Sequence, residues 1–163
     1  MKRFLKKIRN RRGVTLVEMT AAAGVLALLG LVLHTGLFMA QDSYTTMVAE
    51  SESRLLLSTV SNLLSDELRY ARQVVTDDAG VLQRYTSINH GRNTTLGISK
   101  EGQLEANNRR MLSSGAYGNG AYEIEALTVV YGADHVFDVT VKVKSGHASA
   151  KETHFSVRCL NAD

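Results

Sequence analysis

The stretch RRGVTLVEMTAAAGVLALLGLVLHTGLFMA, residues 11–40, decides the architecture. Within it, Met19 to Ala40 form a run of 22 residues without Asp, Glu, Lys or Arg, and only Thr20, His34 and Thr35 are polar. At about 1.5 Å per residue, a helix of that length spans roughly 33 Å, enough to cross the hydrocarbon core of a bilayer.

Working outward, the charge changes sign across this stretch. Seven of the 19 Lys and Arg residues (Lys2, Arg3, Lys6, Lys7, Arg9, Arg11 and Arg12) lie in the first 13 positions, which hold no acid. The other 150 residues carry 12 basic and 16 acidic side chains, a net charge of −4. The basic excess that sets the overall +3 therefore belongs to the leader alone. It argues for an N-in, C-out insertion, with the leader kept in the cytoplasm. The rest of the chain is mildly acidic, so direct nucleic-acid binding is not expected. A lone Cys159 forms no intrachain disulfide, and the absence of proline suits long helix and regular sheet.

Three fates fit such a segment. A secretory signal would be cut after the apolar run, but Phe38-Met39-Ala40 places a bulky side chain where a small one is needed, and the run is long. A plain anchor would stay uncut. The third fate turns on Gly13-Val14-Thr15-Leu16-Val17-Glu18, which follows Arg11-Arg12 and opens into the apolar run. This combination of basic leader, glycine, four residues, glutamate and apolar helix resembles the prepilin processing motif of type IV pilins and pseudopilins. The resemblance covers about 30 residues. It implies cleavage between Gly13 and Val14 by a prepilin peptidase, N-methylation of Val14, and assembly through the N-terminal helix, with Glu18, Thr15 and Leu16 as assembly residues. Two departures stand out: Val14 occupies a position where Phe is commonest, and the midpoint of the helix has no proline. Gly24, Gly30 and Gly36 are candidates for local looseness or for close packing.

Glu18 also has a physical argument of its own. A carboxylate within an apolar helix costs about 2.5–3.5 kcal/mol on insertion scales. It can snorkel at the interface, aided by the positive end of the helix dipole. Alternatively, cleavage after Gly13 turns the Val14 amide into an ammonium four residues away, a counter-ion within the subunit or from a neighbour.

The expected fold is α+β: a long N-terminal helix packed on a small antiparallel sheet. The division is a leader at 1–13, a membrane or filament-core helix at 14–40, its amphipathic continuation at 41–79 and a β region at 80–163. Leu56, Val60, Leu63, Leu64, Leu68, Ala71 and Val75 recur at spacings of three and four, extending one helix to about Val75, roughly 93 Å in all. Asp66 and Glu67 read as its solvated face, and Asp77-Asp78-Ala79-Gly80 as its stop. Strands are expected at Val81–Ile88, at Thr94–Ser99 with a hairpin to Leu104, at Tyr122–Tyr131 with a bulge between Ala126 and Leu127, at Val136–Val143, and through Phe155, Val157 and Cys159.

Other residues point to no chemistry. Cys159 shares a face with Phe155 and Val157 and reads as a buried thiol. His90, His135, His147 and His154 lack metal-ligand spacing, and His34 stands alone in the apolar run. Arg109 to Gly120 reads as a mobile loop, with Tyr117 and Tyr122 as candidate contact aromatics. No phosphate-binding glycine loop, His-Glu-x-x-His or Gly-x-Ser-x-Gly occurs, so no enzyme, cofactor or metal is expected.

The resemblance implies a structural subunit, a major or minor pilin or a pseudopilin. Its partners would be other such subunits, the prepilin peptidase, an assembly platform with its ATPase, and the lipid bilayer. It would sit in the cytoplasmic (inner) membrane and then in a cell-surface or periplasmic filament. Adhesion, twitching, DNA uptake and secretion all remain open. The rival is a membrane-tethered extracytoplasmic binding domain that does not polymerise.

Overall fold

A computed structural model of the chain describes residues 15–146 and 149–161. Its first element is the unbroken helix α1, Leu16–Arg69. The chain divides into two units, Met1–Tyr44 and Thr45–Asp163, and each is taken by itself.

In the first unit every described residue of α1 is exposed. The helix runs through Gly24, Gly30 and Gly36 without interruption, and nothing lies within 4 Å of a side chain added at any of the three. Any looseness at these glycines leaves no break in the helix.

The second unit is α+β. In its part of α1 the apolar residues gather into one stripe, as a helix packed on a sheet requires. Ala49, Leu56, Leu57, Val60, Leu64 and Leu68 are buried. Strands follow in order: β1 Arg72–Thr76, β2 Leu82–Ser87, β3 Gly91–Thr94, β4 Leu96–Ile98, β5 Leu104–Ala106, β6 Arg109–Arg110, β7 Tyr122–Tyr131, β8 Val136–Ser145 and β9 Lys151–Arg158. Among the described residues they form three antiparallel sheets, β1-β2-β3, β4-β5-β6 and β7-β8-β9, where one had been expected. The α1 stripe packs with Tyr85 of β2, Leu104 of β5, and Phe137, Val139, Val141 and Val143 of β8. Those four β8 residues alternate with Asp138, Thr140 and Lys142, the period-2 pattern of a strand with one buried face.

Two boundaries differ from the sequence reading. The helix ends at Arg69, so residues 72–79 do not continue it. The stripe suggested otherwise because Ala71 and Val75 happen to extend the helical spacing. The run Val74-Val75-Thr76 is β-branched and favours strand. Tertiary contacts settle the helix end: the Ala71 amide donates to the Leu68 carbonyl at 3.2 Å, and the Leu160 amide to the Arg69 carbonyl at 2.8 Å. Donors from outside the helix thus satisfy carbonyls its last turn leaves open. Asp77 to Gly80 is instead the β1–β2 turn. There Asp77 Oδ1 accepts the Ala79 and Val81 amides, and Gly80 takes φ +80°.

The β7 bulge sits one step earlier than expected. The register breaks between Ile124 and Ala126, leaving Glu125 and Ala126 both facing outward. Glu125 then meets Lys142 of β8 at 2.9 Å, which holds its carboxyl below the usual range.

Candidate assembly site at the start of the helix

Thr15 stands just before the first helical residue, Leu16, and Glu18 is the third residue in. The Thr15 amide donates to Glu18 Oε2 at 3.0 Å, while the Glu18 amide donates to Thr15 Oγ1 at 3.2 Å. The Thr15 hydroxyl adds a bond to the same Oε2 at 3.2 Å. This is a reciprocal capping box, in which two side chains satisfy amides that the first helical turn leaves open. The acid also lies at the positive end of the helix dipole. Its signature, Thr-x-x-Glu before an apolar run, is present in the sequence.

The cap uses only one carboxylate oxygen. Glu18 Oε1 has no partner among the described residues. Thr15 and Glu18 are therefore brought together as a pair. Leu16 makes no comparable contact and is 81% exposed. Gly13 and Val14, where cleavage and methylation are expected, lie outside the described residues.

Beyond the cap, the helix surface is apolar all round. Thirteen large apolar side chains between Leu16 and Met39 are exposed. The few hydroxyls are satisfied locally: Thr20 donates to the Val17 carbonyl at 2.9 Å, and Thr35 to those of Leu31 and Val32 at 3.1 and 3.0 Å. Inside a bilayer, polar groups must be satisfied in this way. His34 is exposed and lies 6.4 Å from the Phe38 ring, centroid to centroid. By length and composition, this one helix could cross a membrane.

In the second unit, the remaining candidate residues turn out to be packing groups. Cys159 is buried, and its thiol donates to the Ala71 carbonyl at 3.2 Å. The expected mobile loop is anchored. Residues 114–120 form a kinked 3-10 segment whose Tyr117 is fully buried, with the Leu104 amide donating to its hydroxyl at 2.8 Å. Burial raises the Tyr117 pKa against that bond. Tyr122 packs half-buried on the core, so neither tyrosine is a free contact aromatic.

Glu67, read as solvated, is also buried. Its Oε1 accepts from the Tyr85 hydroxyl at 3.1 Å and its Oε2 from Asn89 Nδ2 at 3.0 Å. Desolvation, then the nearby Glu67 charge, drives the Tyr85 pKa far above that of an ordinary phenol.

Two histidines, His135 and His154, bond locally. His135 Nδ1 lies 2.8 Å from the Tyr131 hydroxyl, and His154 lies between Thr140 at 2.8 Å and Glu152 at 3.0 Å. His147 is outside the described residues. Among the described residues, no three or more His, Cys, Asp or Glu side chains gather as metal ligands.

Comparison with known protein families, with characterised proteins and with solved structures finds no match to this chain.

Proposed function

We propose that this chain is a structural subunit of a type IV pilus-like or type II secretion-like filament, a pilin or pseudopilin with no catalytic role. The leader stays in the cytoplasm, the apolar part of α1 enters the inner membrane, and a prepilin peptidase cuts between Gly13 and Val14. Val14 is then methylated, and an assembly platform with its ATPase moves the subunit from lipid into a filament of like subunits.

One observation carries the reading: an all-round apolar helix begins with a carboxylate whose second oxygen has no partner among the described residues, next to the expected cut. Lipid and neighbouring helices are similarly apolar, so leaving the membrane gains little from burial. Specificity must then come from polar partners and from close packing. A new ammonium at Val14 would supply the polar partner. The bare surface over Gly24, Gly30 and Gly36 offers close approach.

The test is the intact mass and N-terminal sequence of the protein recovered from native membranes. A start at Val14, with or without one methyl group, is the expected result. A retained Met1 leader would overturn the proposal in favour of a tethered domain that does not polymerise. A start near Gln41 would mean secretion.

A further inference from the structure

The β1-β2-β3 sheet carries arginines that nothing in its own fold explains. Arg72 of β1 pairs in register with Thr86 of β2, and Arg92 lies on the neighbouring strand β3. A cleft of about 370 Å³ opens here, lined by Arg72, Gln73, Thr86, Arg92 and Asn161. Arg84 stands two positions before Thr86, so strand alternation places it on the same face of β2. All three arginines are exposed, and none forms a salt bridge among the described residues. Beyond residue 13 the chain is net −4, so its overall charge does not account for a sheet that carries three of its eight remaining arginines beside a cleft whose described lining holds no acid.

The local backbone is shaped to this arrangement. Gln73 has φ +48°, a left-handed conformation that non-glycine residues rarely adopt. It coincides with a register shift between Arg72 and Val75. A regular strand would turn adjacent side chains to opposite faces, whereas this irregularity directs both Arg72 and Gln73 into the cleft. The Thr86 hydroxyl donates to Gln73 Oε1 at 2.9 Å, fixing the amide so that its NH₂ remains available as a donor.

Among the described residues, the acids Asp77 and Glu67 are engaged elsewhere. Asp77, at the far end of the β1–β2 hairpin, accepts two amides and the Gln83 side chain. Glu67 accepts from Tyr85 and Asn89. At the end of α1, the Leu68 and Arg69 carbonyls are taken by Ala71 and Leu160. What remains in the cleft is two guanidinium forks and two side-chain amides, a donor set matched to a tetrahedral oxyanion.

We propose that this cleft binds a phosphate-class oxyanion, gripped by Arg72 and Arg92 and oriented by the Gln73 and Asn161 amides. The site belongs to the second unit and is independent of N-terminal processing. Its phosphate could be free or part of a lipid headgroup. The contacts are exposed, so binding is weak, with a dissociation constant on the order of 1 mM.

The test uses the full chain in a neutral maltoside detergent at low salt, following the side-chain Nε–H NMR signals of its arginines. Inorganic phosphate is titrated in one arm, and phosphatidic acid is added to the micelles in the other. Saturable shifts at Arg72 and Arg92 beyond those at the exposed Arg109 are expected in at least one arm, and which arm responds identifies the source. R72Q/R92Q should weaken the effect about tenfold or more. R72K/R92K, which keeps the charge but loses the fork, should fall between. Equal, non-saturating shifts at all arginines in both arms would overturn the proposal. So would undiminished binding by a folded R72Q/R92Q chain.

Discussion

Replacing Glu18 separates the helix cap that the structure shows from the ion pair that we propose for the same carboxylate. A capping box accepts Gln as well as Glu at its third position, because the cap needs an acceptor oxygen rather than a charge. Glu18→Gln therefore keeps an acceptor for the Thr15 amide and hydroxyl, now 3.0 and 3.2 Å away. It removes the charge that would meet a Val14 ammonium. Glu18→Ala removes both. Losing the cap costs about 1 kcal/mol, a few-fold effect, and Thr15→Ala should show this alone. Removing one partner from a buried ion pair costs about 3–5 kcal/mol, a factor of roughly 10² to 5 × 10³. In a filament that excludes water around the first turn, Glu18→Gln should thus lose most assembly while keeping its helix. Glu18→Ala should be only slightly worse. The assay is the fraction of cleaved protein recovered in sheared, sedimented filaments, with N-terminal sequencing to confirm that each variant is processed. Normal assembly by a processed Glu18→Gln chain would refute the pairing and leave Glu18 as a helix cap only.

Three further outcomes concern the second unit, each read on the full chain in neutral detergent. A methyl group at Gly102 would collide with the Glu123 side chain where φ is +69°, so Gly102→Ala should lower stability by about 2–4 kcal/mol, seen as a lower urea midpoint. Tyr117→Phe leaves the Leu104 amide without its bond at a fully buried site and should cost about 1–3 kcal/mol by the same measurement. Alkaline titration should destabilise the fold in a defined direction. Tyr85 keeps its proton more tightly when folded than at its unfolded pKa of 10.0, so its contribution is complete below about pH 10 and is lost as pH rises above it. Tyr85→Phe should flatten that decline; an unchanged slope would assign the alkaline loss to other groups.

Much of the fold was legible because its elements repeat a period. The β8 alternation of Phe137, Val139, Val141 and Val143 with polar residues is a two-residue pattern that only one buried strand face satisfies. The same holds for α1 from Leu56 to Leu68 at helical spacing. What periodicity missed was decided by contacts distant in sequence. The helix stops at Arg69 partly because Leu160, ninety-one positions later, supplies a donor. Glu67 is buried because Tyr85 and Asn89 arrive from the β2–β3 hairpin to meet it. Tyr117 sits in a glycine-rich stretch that reads as mobile until the Leu104 amide reaches its hydroxyl. The cap at Thr15 is a different case: its signal is local and visible in four residues.

The energetics of the apolar helix constrain the function further than its length does. Thirteen large apolar side chains exposed between Leu16 and Met39 would forgo roughly 20–40 kcal/mol if left in water. Such a surface favours an apolar surrounding, which either lipid or a bundle of like helices would provide. Because both do so about equally, apolar area cannot decide between an anchor and a filament. The polar inventory can. Thr20 and Thr35 are satisfied within the helix in either setting, whereas one Glu18 oxygen has no partner among the described residues. In an uncut anchor, the residue four positions before it contributes only a neutral amide. Cleavage after Gly13 would replace that amide with a cation and would detach the seven basic residues of the leader. On the proposed reading, one bond broken would thus change both the charge before the apolar segment and the charge available to Glu18, which is why the state of that bond separates the two functions.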